Sequence, residues 1–227
     1  MAFTLITANR NYSSWSLRPW LLMKALGIRF EERIVPFTRS DNYDEFRTFS
    51  PTGQVPVLIH GDRTIWDSFG ITLYLAERFP KVWPSQEAAR AWAMCATAEM
   101  HGGFGAIRNE CTMNVGVRVT PKPASPLLKR QVARLGELWA EGLSRFGGPW
   151  LAGADFSAVD AFYAPVAFRV RTYGLAVGDA GNQWVAHILQ HPAMREWEEM
   201  ALAESWREAD HEAELAAAGI VTADYRA

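Results

Sequence analysis

The stretch Gln54-Val55-Pro56-Val57-Leu58-Ile59-His60-Gly61-Asp62-Arg63-Thr64-Ile65-Trp66-Asp67-Ser68 decides the fold. Val57–His60 and Thr64–Trp66 are short runs of strand formers on either side of Gly61-Asp62, a turn dipeptide of the hairpin type, so the two are expected to pair antiparallel. Upstream, Phe3–Thr7 and Glu31–Val35 read as strands, and Ser16–Leu26 reads as a helix with apolar positions at Trp20, Leu21, Met23 and Ala25 and a stop at Gly27. A short helix is expected near Tyr43–Phe49. Downstream, Ile71–Phe79 carries a helical stripe that ends before Pro80, so residues 1–80 have the order β-α-β-α-β-β-α.

From Gln86 onward only helices are expected, over Gln86–Asn109, Pro126–Phe146, Ala158–Val170, Trp184–Leu189 and Met194–Glu204. No alternating strand pattern stands out there. A small α/β domain over 1–80 therefore precedes an all-helical domain over 86–227, and Phe79–Ser85, which holds Pro80 and Pro84, is the natural linker. Gly116–Ser125, with Pro121 and Pro123, reads as a second loop, and the Ala/Glu-rich tail after Asp210 as helical or frayed. Within the helical half, Gly153 followed by Ser157-Ala158-Val159-Asp160 has the pattern of an N-terminal capping box.

The 227 residues are 49% hydrophobic and 21% charged, enough to bury a core. Twenty-three Lys and Arg against 25 Asp and Glu leave a net charge of -2, without the basic surface that nucleic-acid binding needs. No window approaches the ~20 apolar residues of a membrane span, and Phe3–Ala8 is too short for a signal-peptide core, so a cytoplasmic location is expected. Cys95 and Cys111 have neither metal-ligand spacing nor a disulfide framework and read as ordinary buried thiols. Of ten Trp, those at 92, 139, 197 and 206 fall on helical-looking segments and are expected in the core or at an interface. His187 and His191 lack the glutamate of a zinc-protease helix, and no metal is expected. Gly103-Phe104-Gly105 lacks the third glycine and preceding strand of a dinucleotide fingerprint.

The β-α-β-α-β-β-α order, with Val55-Pro56 just before the hairpin, resembles the thioredoxin-like domain, and the helical second half narrows the resemblance to the glutathione S-transferase family over about the whole chain. Tyr12-Ser13-Ser14-Trp15-Ser16-Leu17-Arg18 is similar to the Ser-type active-site turn of the zeta and tau classes. Gln54-Val55-Pro56-Val57-Leu58 and Asp67-Ser68 look like the family's two glutathione-holding motifs. The resemblance implies glutathione as co-substrate, a homodimer, and a cis Val55–Pro56 bond that turns the Val55 N–H and C=O toward a peptide-like ligand. It also implies that the long helix after the linker lines the electrophile pocket, which makes Met100, His101, Phe104 and Arg108, with Trp15, the candidates there.

Elementary chemistry supports the first turn independently. Ser13, Ser14 and Ser16 lie between a strand and a helix, where free N–H groups and the helix dipole favour an anion such as a thiolate. A free thiol titrates near ~8.5, and each unit of lowering takes about 1.4 kcal/mol, within reach of one hydroxyl donor plus the dipole. The resemblance to the zeta and tau pattern makes Ser13, five residues before Arg18, the preferred donor and Ser14 the reserve. Asp67-Ser68 before a helix forms an anion site for the γ-glutamyl carboxylate, with Asp67 opposite the ammonium. Cysteine is absent before Cys95, so thiol exchange by the protein itself is excluded and the sulfur must come with the substrate. The expected function is activation of glutathione as a thiolate and its conjugation to a small apolar electrophile. A glutathione-dependent isomerase of the maleylacetoacetate kind and a non-catalytic interaction module are the alternatives; Trp15 stands where zeta members usually carry cysteine.

Overall fold

The computed structural model describes residues 2–38 and 41–227. Its N-terminal half is a mixed four-stranded sheet in the order β2-β1-β3-β4, with β1 Phe3–Thr7, β2 Phe30–Ile34, β3 Val57–His60 and β4 Arg63–Ile65. β1 runs parallel to β2 and antiparallel to β3, and β3 turns back into β4 through Gly61, whose φ of +65° suits a tight turn. Alternate side chains of β1 serve opposite faces. Leu5 packs with α1 (Ser14–Ala25) and α3 (Ser68–Ala76), while Ile6 joins Val35, Val57 and Phe46 of α2 (Tyr43–Phe46). The expected order of elements is present; α1 begins at Ser14 rather than Ser16, and α3 begins at Ser68 because Asp67 caps it, accepting the Phe69 and Gly70 N–H groups at 2.8 and 3.3 Å.

A 3₁₀ turn, Pro80–Val82, leads into the second half: α4 Glu87–Gly102, α5 Gly105–Glu110, β5 Val117–Pro121, α6 Pro126–Phe146, α7 Ala158–Tyr173, α8 Gly178–Leu189, α9 Pro192–Leu202, α10 Ala209–Ala218 and β6 Gly219–Asp224. α7 is buried along almost its whole length and packs against both α1 and α4, so one core joins the two halves. Asp160 fixes its start, accepting N–H groups of Ser157 (3.0 Å) and Leu151 (2.9 Å) and the Trp184 indole N–H (3.1 Å).

Four expectations are corrected. The helix read over Gln86–Asn109 is two helices, because the backbone turns extended at Gly103 (φ -104°, ψ -163°) and Phe104 takes a left-handed φ of +56°. Arg108 closes the break by donating to the Met100 and Gly103 carbonyls. The helical half does contain strands: β5 and β6 pair antiparallel, joining the Gly116–Ser125 loop to the C-terminal tail. Cys95 is exposed and only Cys111 is buried. Trp206 lies outside the helices and is 42% exposed, whereas Trp139 and Trp197 are core residues.

Candidate functional site

The turn from β1 into α1 is held from three directions. Its own backbone closes on Asn9, whose carbonyl accepts the Ser13 N–H at 2.8 Å and whose side chain accepts the Phe37 N–H at 2.6 Å. Glu204, just past α9, accepts the Arg10 N–H at 2.8 Å and the Asn11 N–H at 3.3 Å. Tyr12 donates its hydroxyl to Glu212 of α10 at 2.6 Å, and Glu212 is itself gripped by Arg226 at 2.5 and 3.0 Å. Burial and this bond keep the Tyr12 phenol protonated, with its O–H committed to the Glu212 carboxylate.

A cavity of about 720 Å³ opens at this turn. It gathers Ser13, Ser14 and Trp15 from the first turn, Gln54, Val55 and Pro56 from the segment before β3, Asp67 from the cap of α3, and Arg108 from α5. The Val55–Pro56 bond is cis, as expected. The Ser13 hydroxyl donates to Ser16 Oγ at 2.7 Å, while Ser14 Oγ forms no hydrogen bond among the described residues. Both hydroxyls stand at the N-terminal end of the 12-residue α1, where the Ser14 and Leu17 N–H groups bond the Tyr12 and Ser13 carbonyls and those of Trp15 and Ser16 have no acceptor among the described residues.

Other expected site residues are placed differently. Ser68 is fully buried and is not among the residues lining the cavity, its hydroxyl without a partner among the described residues. Met100 and Phe104 are core residues, Phe104 packing edge-on against Tyr163, so neither lines the cavity. His101 stands behind Trp15 (ring centroids 5.3 Å) and stacks on Phe69 (5.2 Å), with Nε2 3.3 Å from Asp67. Burial, only partly offset by Asp67 and reinforced by Arg18 and Arg108, holds its imidazole below the usual value and favours the neutral form.

Several wall residues escaped the sequence reading. Phe37 comes from the segment after β2, Thr112 and Met113 from that after α5, Arg169 from α7, and His211 and Glu214 from α10. His211 is stacked against Tyr12 (4.7 Å) and Phe37 (5.2 Å) and bonds Glu208 through Nδ1 at 2.6 Å. The tail's fold-back brings His211 and Glu214 there, and nothing local in the sequence marks it. His187 and His191, by contrast, pack around Trp150 at 4.4 and 5.8 Å.

A mixed thioredoxin-like sheet followed by a helical domain, with a serine-bearing strand-to-helix turn facing a cis-proline segment, defines the class. Residues 12–78 match the glutathione S-transferase N-terminal domain family and residues 122–199 the C-terminal domain family. The chain belongs to the glutathione S-transferase family. Among its relatives, a zeta-class glutathione S-transferase of Euphorbia esula is 26% identical over 67% of this chain and 70% of its own length. Glutathione S-transferase 1 of Dianthus caryophyllus is 29% identical over the same shares. The fold is that of a glutathione transferase homolog from Burkholderia solved with bound glutathione (TM-score 0.67, 20% identity, 88% of this chain and 98% of that one). It is likewise that of a tau-class enzyme from mango, Mangifera indica (TM-score 0.64, 18% identity, 88% and 96%).

Proposed function

We propose that the protein is a glutathione transferase that binds glutathione along the wall from Asp67 to Ser13, holds its sulfur as a thiolate at the start of α1, and joins it to a small electrophile with an apolar body. The observation that carries this reading is the convergence, in one cavity, of Ser13 and Ser14 with Gln54, Val55, Pro56 and Asp67, three segments far apart in sequence. In this reading Val55 offers its backbone N–H and C=O to the cysteinyl unit. Asp67 faces the γ-glutamyl ammonium, and Ser68, whose N–H the Asp67 cap leaves unused and whose buried hydroxyl has no partner among the described residues, receives the carboxylate. Gln54 adds an uncharged and weaker hydrogen bond. The thiolate then attacks the electrophilic carbon; the S–C bond forms as the bond to the leaving group breaks, and that group departs with the electron pair. The thiol proton passes to solvent beforehand. Trp15 and Arg108 line the electrophile side.

The test is retention on immobilised glutathione together with conjugation of a generic aryl halide such as 1-chloro-2,4-dinitrobenzene. Turnover with retention supports the enzyme, and failure to bind glutathione would refute it. Within this reading the protein acts in the cytoplasm, clearing reactive electrophiles; no helix among the described residues is long and apolar enough to cross a membrane. A homodimer is part of the same proposal. It draws on Trp66, Leu73 and Met94, which are 45, 46 and 39% exposed, rather than on the helical Trp residues at 139, 184 and 197, which the chain's own core consumes. Light scattering at micromolar concentration should give twice the chain mass.

A further inference from the structure

Of the three buried arginines among the described residues, Arg10 has carboxylate partners, whereas Arg18 and Arg169 have none; half-buried Arg171 and Arg226 are paired, whereas half-buried Arg108, on the same cavity wall as Arg169, is not. Arg10 pairs with Glu32 at 2.7 Å and Glu204 at 3.6 Å, Arg171 with Glu198 at 2.6 Å, and Arg226 with Glu212 at 2.5 Å and Asp224 at 2.7 Å. Arg18, Arg108 and Arg169 pair with no carboxylate among the described residues. Arg169, 4% exposed, donates Nε to the Cys111 carbonyl at 2.8 Å, and Arg108 donates to the carbonyls of Met100 and Gly103. Arg18 leaves Nε and Nη1 with no partner, its guanidinium 4.0 Å from the Trp15 ring centre and 4.8 Å from that of Phe162. Arg108 approaches the same Trp15 ring, at 5.6 Å.

Arg108 and Arg169 line the same cavity as Trp15, and Arg18, which is not on the lining, lies against the Trp15 ring. Burial, then the charges of Arg169 and Arg108, hold Arg18 down to about 9, and burial above all holds Arg169 down to about 10, so each is still a cation at neutral pH. The acids on the same wall are engaged elsewhere or make no ion pair with them. Asp41 accepts the Tyr43 N–H at 2.8 Å, Asp67 caps α3 and meets His101, and Glu214 forms no ion pair with any of the three arginines. A buried cation without a counter-ion is costly, and a guanidinium's planar fork fits a carboxylate.

We infer that the electrophile taken by this cavity carries a carboxylate on an apolar body, the body lying against Trp15 and the carboxylate received by Arg108 and Arg169. The inference rests on the glutathione transferase reading. It refines it by making the second substrate an organic anion, in a site where Arg18 and Arg108 stand against the Trp15 ring and Arg169 lines the same cavity.

The probes are three glutathione thioethers: S-methylglutathione, S-(4-carboxybenzyl)glutathione and its isosteric amide, S-(4-carbamoylbenzyl)glutathione. Dissociation constants are measured by calorimetry on the full chain at low salt. The two benzyl probes share everything except the charge, so glutathione recognition cancels in their ratio. The carboxylate should bind at least about 10-fold more tightly than the amide, and the ratio should fall close to one in Arg108→Gln and in Arg169→Gln. Should Arg169→Gln fail to fold, the wild-type ratio and Arg108→Gln still decide. Equal binding of the two benzyl probes, with S-methylglutathione bound, overturns the anionic substrate and leaves the transferase standing. Absence of S-methylglutathione binding removes both.

Discussion

At the scale of residues, two hydroxyls one position apart present different chemistry. Ser13 gives its proton to Ser16 and Ser14 gives its proton to no group among the described residues, yet both face the same cavity. For Ser13 to donate to a thiolate its hydroxyl must turn away from Ser16, whose own hydroxyl then donates back to it and strengthens the new bond. Ser13→Ala is expected to raise the pKa of bound glutathione by roughly one to two units, the worth of a charge-assisted bond of about 1.5–3 kcal/mol. Thiolate absorbance against pH would read it. If Ser13→Ala leaves that pKa in place and Ser14→Ala moves it, the roles are exchanged; if neither moves it, amides and dipole alone hold the sulfur. Asp67→Asn should raise the KM for glutathione about tenfold with kcat nearly constant, since the group binds ground and transition states alike. Asn can still cap α3, so a loss of stability in place of the KM effect would reassign Asp67 to the cap alone.

At the scale of elements, the C-terminal segment is structural support for the first turn. β6 pairs with β5, α10 supplies His211 and Glu214 to the cavity, and Glu212 links Tyr12 to Arg226. Burial pushes the Glu212 carboxyl up, but the bonds from Arg226 and Tyr12 outweigh it and hold the group below its usual range. A depressed carboxyl contributes stability above its ordinary titration range and loses it as the pH falls through the lowered value. Glu212→Gln, removing about 1 kcal/mol of local interaction, should speed proteolytic trimming of α10 and β6 about fivefold at neutral pH, with little change in the unfolding of the rest. Mass spectrometry of a protease time course reads it, and equal trimming rates in both proteins would show that the clamp does not hold the segment.

At the scale of the whole molecule, one core runs from the sheet through α1 and α7 to the outer helices, and Asp160 sits inside it with three donors. Burial dominates and raises its carboxyl from 3.8 to about 6. The folded state then holds a proton that the unfolded chain has released between those values, so stability falls as the pH rises across that window, by about 1.4 kcal/mol per unit. The stability advantage of the wild type over Asp160→Asn should accordingly shrink between pH 4.5 and 7.5, by about 2 kcal/mol. Urea unfolding at the two pH values measures it. An advantage that stays constant or grows would mean that the three donors, rather than burial, govern the charge.

What the sequence determined by itself was whatever short-range chemistry specifies. The Gly61-Asp62 turn set the hairpin, Ser157-Ala158-Val159-Asp160 set the start of α7, and the missing cysteine before Cys95 excluded protein thiol exchange. Ser13, Ser14, Gln54, Val55, Pro56 and Asp67 were legible because each lies at an element boundary, where a backbone group is left free and a polar side chain has a local reason to be. The tertiary structure alone decided where a helical stripe points. Met100, Phe104 and Arg108 share a spacing, but the break at Gly103 and Phe104 sends two into the core and turns Arg108 to the cavity. It also decided that β5 and β6 form a sheet, since a strand's partner from the far end of the chain leaves no local signature. Arg169, buried in α7, and His211, in a tail that reads as merely helical, reach the site through packing between elements, and that packing brings cations and aromatic rings together without regard to their distance along the chain.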